Sequence, residues 1–190
     1  MSERSPADVL SRKRIVLING EIREEMVESI VKELLRLEAA NPTESINVFI
    51  NSPGGSVIAG LAIHDVMKMV RCEISTICYG QAASMASLLL MAGARGKRYI
   101  SPNARVLIHQ PSGGAFGTAT EIETTALEIT RIKQRLVELV SYYTGQPIEK
   151  VAIDMERDFY LDADAAVKYG IADSIRYPGH GGATVSQGEE

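Results

Sequence analysis

Apolar positions along this chain follow two alternating rhythms. Residues 14–18 (RIVLI), apolar from Ile15 onward, read as a strand, whereas in residues 24–40 (EEMVESIVKELLRLEAA) the apolar positions return every three or four residues, as on one face of a helix. The same pair recurs: residues 46–51 (INVFIN) read as a strand, SPGG as a turn, and residues 56–70 (SVIAGLAIHDVMKMV) as a helix. Residues 73–79 (EISTICY) form a third strand, leading into Gly80, after which a helix opens near Ser84. Strand–helix repetition of this kind predicts an α/β layer structure whose strands are buried on both faces.

The rhythm then changes. Residues 104–110 (ARVLIHQ) read as a strand, and residues 111–119 (PSGGAFGTA) as an extended hairpin or flexible loop. A long amphipathic helix over about 120–143 stops at TGQP, and its length predicts that it projects from the core. Residues 148–157 and 163–170 read as short helices, 171–177 as a last strand, and 178–190 as a disordered tail. No repeat of 20–50 residues and no domain linker interrupts the pattern.

Composition narrows the classes. The 190 residues, 45% hydrophobic, suffice for one well-packed domain. Twenty basic against 24 acidic residues give a net charge of −4, without the basic excess of a nucleic-acid binder. Cys72 and Cys78 match no metal-ligand spacing and read as buried reduced thiols, pointing to the cytoplasm. The polar N-terminus is unlike a secretory signal, and the most apolar run, residues 83–94, is about half the length of a membrane span.

Candidate chemistry centres on GQAASMAS (80–87). A nucleophile on a sharp strand-to-helix turn needs small neighbours two positions to either side, and Ala82 and Ala86 occupy those places around Ser84. The Met85 amide, at the helix start, would face a developing oxyanion. The alternative reading is a serine N-cap or a small packing residue. In NSPGGS (51–56) the Gly-Gly turn permits close backbone approach, and the Gly55 N–H beside that of Met85 would complete a two-donor hole; the alternative is an ordinary Pro-Gly turn. A phosphate loop is excluded, because Leu61-Ala62 stand where Lys-Ser/Thr would be required. Among three histidines, His109 ends a strand and points past the sheet edge, His64 lies mid-helix, and His180 lies in the tail. An orienting carboxylate would come from Asp154, Asp158, Asp162 or Asp164, and spacing does not choose among them.

The segments INSPGGSVIAGLAI, STICYGQAASMAS, GKRYISPNARVLIHQPSGG and ERDFYLDADAAVKYGIADSI, in this order, closely resemble the ClpP family, the proteolytic subunits of the Clp protease, over about residues 13–177. The resemblance implies a crotonase-like fold, a short leader (1–12), a peptidase domain (13–177) and a tail (178–190). It implies a Ser84–His109–Asp158 triad, backbone oxyanion donors at Gly55 and Met85, and ring-to-ring coupling through Glu156 and Arg157. It further implies a serine endopeptidase without metal or organic cofactor, acting on polypeptides inside two stacked, usually heptameric rings, with the long helix as the handle between them. An AAA+ unfoldase such as ClpX or ClpA would feed the chamber, with neither membrane nor nucleic acid involved. The chain departs from the family in having only about a dozen residues before the first strand, and in carrying Asn47 and Phe49 where tyrosines commonly line the unfoldase-docking pocket. Ala86 and Phe159 also replace a usual glycine and a usual polar residue. These departures imply weak or altered docking, or a mixed ring with a ClpP paralogue. The competing readings are a mainly structural or regulatory ring subunit, a crotonase-type acyl-CoA enzyme, and a Ser-Lys signal-peptide peptidase relative.

Overall fold

The computed structural model describes residues 6–176, so the expected tail, His180 and the first five residues of the leader lie outside the described part. In chain order the elements are α1 (Pro6–Arg12), β1 (Ile15–Asn19), α2 (Glu24–Ala40), β2 (Ile46–Ser52), α3 (Val57–Met69), β3 (Ile74–Ala83) and α4 (Met85–Met91). There follow β4 (Arg98–Ile100), β5 (Arg105–Ile108), α5 (Ala119–Thr144), α6 (Ile148–Asp154), β6 (Phe159–Leu161), α7 (Ala163–Tyr169) and β7 (Ser174–Ile175). The class is α/β, as the alternation predicts.

One sheet runs in the order β1-β2-β3-β4-β7, all parallel. β3 is longer than the expected strand because it does not end at Gly80. It bends there, at φ 75°, where the Asn51 side chain accepts a hydrogen bond from the Gln81 amide (3.3 Å), and then pairs a second time. Its first half pairs with β4 and its last three residues with β5, which in turn pairs antiparallel with β6. Burial on both faces holds for the first half of β3 but not for β1 and β2, which alternate. Asn47, Phe49 and Asn51 face the wetter side of β2, and an amide there can keep its hydrogen bonds to water.

The most apolar run of the chain becomes α4, whose seven residues are all buried. Among the described residues no helix is long and apolar enough to cross a membrane. Burying Leu88, Leu89, Leu90 and Met91 contributes about 1.5–3 kcal/mol each before conformational entropy is set against it. α5 opens on a capping box, with the Glu121 carboxylate accepting from the Thr118 amide (2.7 Å), and spans about 39 Å at 1.5 Å per residue. Its buried residues, Leu136, Val137, Leu139 and Val140, all lie near its C-terminal end, while Ile122 and Leu127 are exposed, so its first half stands away from the body.

Several boundaries move for identifiable reasons. Arg14 leaves the expected first strand because its buried guanidinium donates to the carbonyls of Leu37, Asn41, Glu44 and Ser45, tying off the end of α2. The helix expected to reach residue 157 stops at Asp154, since the Met155 and Glu156 carbonyls accept hydrogen bonds from Gln110 instead (2.6 and 2.8 Å). The last expected strand shrinks to Ser174–Ile175.

Arg98 on β4 locks the far edge. Its guanidinium pairs with Asp173 (2.5 Å) and donates to the carbonyls of Tyr143 (3.1 Å) and Gly170 (2.9 Å), joining the ends of α5 and α7 to the sheet. Burial pushes the Asp173 carboxyl up, but the hydrogen bonds and charge of Arg98 outweigh it and hold the group below its ordinary value. A depressed carboxylate stabilises the fold above the unfolded value, about pH 4, and that contribution is lost as pH falls further. Arg98→Met is therefore expected to cost about 3–5 kcal/mol, or roughly 10 °C in Tm, and to flatten the dependence of stability on pH below about 4. Thermal melts across pH 3–7 check both.

Candidate active site

Ser84 joins β3 to α4 at φ 56° and ψ −125°, and with Arg14 it is one of two non-glycine residues at positive φ among the described residues. Such a conformation costs on the order of 1–3 kcal/mol and persists only where the surroundings impose it. Here the Ser84 amide donates to the Leu107 carbonyl (2.9 Å), and its own carbonyl accepts from the amide (3.0 Å) and hydroxyl (2.6 Å) of Ser87. The backbone is pinned on both sides while the hydroxyl caps nothing: Ser84 holds the N-cap position of α4 without a side-chain cap bond. The N-cap reading therefore fails. Ala82 and Ala86 are both fully buried, so larger side chains would collide there.

The SPGG turn lies against this bend. A Cβ on Gly54 would sit 2.6 Å from the Ser84 Cβ and 2.7 Å from the Ala83 carbonyl oxygen, a separation only glycine permits. Gly55 bridges to Ile22, where the Gly54 carbonyl accepts from Ile22 (2.7 Å) and the Ser56 amide donates to Ile22 (2.8 Å). In a parallel bridge the central residue's own N–H points to the opposite side, so the Gly55 amide faces away from Ile22. The Met85 amide is the first of α4 and has no intrahelical acceptor.

His109 follows β5 and is half-buried. Its Nδ1 lies 3.1 Å from the Asp158 carboxylate, which leaves Nε2 carrying the lone pair when Nδ1–H donates. The β5–β6 register explains the choice among four aspartates. Ile108 stands opposite Phe159 in the last pair of the ladder, so His109 and Asp158 are the residues that leave its end side by side. Asp154 is held by Lys150 (2.5 Å) and the Tyr169 hydroxyl (2.7 Å), and Asp162 caps α7 through the Ala165 amide (2.9 Å). Ser84 and His109 line the same small cavity, about 20 Å³, whose other walls are apolar except at Ser87 and include Val57, Leu88, Leu136 and Met155.

Other candidates go elsewhere. His64 is buried between the Asp65 carboxylate (2.9 Å) and the Tyr143 hydroxyl (2.7 Å), joining α3 to α5. Both cysteines are free and buried, and burial pushes the Cys78 thiol up to about 12, far from a reactive thiolate. Among the described residues no group of three or more His, Cys, Asp or Glu could hold a metal ion. Glu156 and Arg157 are exposed beside Asp158, with Glu156 bound to Lys133 on α5 (2.6 Å). Sequence reasoning misses Lys133, Gln110 and the cavity walls on α5, because nothing in the local pattern shows that α5 returns to this site.

A family model described as Clp protease matches residues 2–178 of the 190.

The Gly54 contact yields a direct test of the bend. Gly54→Ala is expected to displace Ser84 and lower fluorophosphonate labelling of its hydroxyl by about 100-fold, the penalty typical of an ångström-scale misplacement. Intact-mass kinetics check it; labelling at the unmodified rate would show that the contact does not position Ser84.

Proposed function

The chain belongs to the Clp protease family, a family of serine peptidases whose members generally form rings with Clp ATPases, and we propose that it is a serine endopeptidase acting through Ser84, His109 and Asp158. The observation that carries this reading is the 3.1 Å contact of Asp158 with His109, which lines one cavity with the uncapped, strained Ser84.

In the proposed reaction the Ser84 Oγ attacks a peptide carbonyl carbon while His109 Nε2 takes the hydroxyl proton. Asp158 holds the imidazole by Nδ1 and stabilises the imidazolium. The amides of Gly55 and Met85 receive the oxyanion, contributing about 2.7–4 kcal/mol per donor in comparable sites. His109 then gives its proton to the leaving amine as the C–N bond breaks, and water, deprotonated by the same imidazole, hydrolyses the acyl ester.

Two stacked rings, with the projecting half of α5 as the handle between them, would enclose these sites and restrict them to unfolded polypeptides. An unfoldase would supply the substrate, docking near the β2 face where Phe49 meets Tyr79 edge-on (6.2 Å between ring centres) and Asn47 adds an amide. Arg157, exposed and without an ion pair among the described residues, is the group offered to the opposite ring.

Two variants test the proposal. Ser84→Ala is expected to lower hydrolysis of a fluorogenic peptide by about 10⁴-fold or more with assembly unchanged by mass photometry. Arg157→Ala is expected to lose activity together with ring pairing. Full hydrolysis by Ser84→Ala would remove the nucleophile assignment, and fully active, intact double rings of Arg157→Ala would remove the coupling.

A further inference from the structure

Asp158 is mostly exposed, and it sits at the end of a segment, residues 155–158, that belongs to neither α6 nor β6. The β5–β6 ladder ends at the Ile108–Phe159 pair, one position short of His109 and Asp158. Something else must hold the carboxylate on the imidazole. Besides the Met155 and Glu156 amides, which donate to the Val151 and Ile153 carbonyls of α6, three hydrogen bonds tie this segment to β5's C-terminal end and to α5. The Gln110 amide donates to the Met155 carbonyl (2.6 Å), the Gln110 side chain donates to the Glu156 carbonyl (2.8 Å), and the Lys133 ammonium donates to the Glu156 carboxylate (2.6 Å).

Glu156 is thus fixed at its backbone by the residue after His109 and at its side chain by α5. A half-exposed ion pair adds on the order of 0–1 kcal/mol to stability, so its consequence is geometric. Two residues further along the chain is Asp158, within about 7 Å of extended backbone. Lys133 also occupies a particular place on α5: the buried anchors Leu136, Val137, Leu139 and Val140 begin one turn later, and the exposed half precedes it. It stands where the helix leaves the body of the protein.

We propose that Lys133 and Gln110 are positioning residues that clamp the 155–158 segment and so hold Asp158 on His109. This rests on the reading of Ser84, His109 and Asp158 given above, and it concerns contacts within one chain, distinct from any pairing of Arg157 across rings.

The charged groups on and bound to the segment beside His109 are Asp158, Glu156, Arg157 and Lys133 of α5; α5 also carries the Glu128–Arg131 and Arg135–Glu138 pairs, and β5 carries Arg105. Their signs separate a clamp from a simple charge effect. Removing the Lys133 cation by itself makes the imidazole easier to protonate and moves the acid limb of the kcat/KM profile to higher pH. Loss of the Asp158 carboxylate from Nδ1 makes it harder to protonate and moves that limb to lower pH.

The test compares Lys133→Ala and Lys133→Arg with the unmodified protein, using a short fluorogenic peptide that needs no unfoldase, with assembly followed by mass photometry. The clamp predicts a fall in kcat/KM of about 10- to 100-fold in Lys133→Ala, an acid limb moved to lower pH, unchanged assembly, and recovery of both rate and profile in Lys133→Arg. An unchanged rate, an acid limb that stays or rises, or a loss that merely follows disassembly would overturn it. A crystal structure of Lys133→Ala decides the matter independently of activity, even were Ser84→Ala to remain active: Asp158 displaced from His109 supports the clamp, and an intact 3.1 Å contact refutes it.

Discussion

The site depends on a single strand being shared. β3 pairs with β2 on one side, and on the other side with β4 along its first half and β5 at its end. Ser52 therefore stands beside Ala82, and Leu107 beside Ala83, just where the chain turns at Ser84. Three strand ends meet there: β2 delivers the Gly54–Gly55 turn, β3 delivers Ser84, and β5 delivers His109. A one-residue slip of β3 would reverse which face each side chain meets, so register alone decides whether the groups converge.

Around that convergence the packing holds a conformation Ser84 would not adopt freely. The hydrogen bonds to Leu107 and Ser87 fix its backbone, Gly54 closes over its Cβ, and α4 anchors the whole bend through seven buried residues. The strain of about 1–3 kcal/mol is small against the burial of α4, which explains why the bend persists. What the strain provides is a hydroxyl that makes no cap bond at the start of α4. Function and fold meet in the same few residues.

Much of this was legible in the sequence, and the illegible parts have physical reasons. The helix over 24–40 and the strand beginning at 46 follow directly from apolar spacing, and the small residues at 82 and 86 mark the bend because only they fit. Three-residue strands such as β4 and β6 carry too few positions for any period to emerge, and they exist only through their partners. The four aspartates near residue 158 are indistinguishable along the chain; the antiparallel register of β5 with β6 separates them, and that register is a long-range property. β3 continues past Gly80 because of the Asn51 side chain, thirty residues upstream. The family resemblance singled out Asp158, and the fold adds that its carboxylate lies 3.1 Å from His109, just beyond the end of the β5–β6 ladder.

The central claim, that the three strand ends form one acyl-transfer site, is tested most directly by the crystal structure of the protein inactivated with a peptidyl phosphonate. Phosphorus bonded to the Ser84 Oγ is expected, with the phosphonyl oxygen within about 3 Å of both the Gly55 and Met85 amides. A phosphonate on any other residue, or an oxygen turned into solvent away from those two amides, would contradict it.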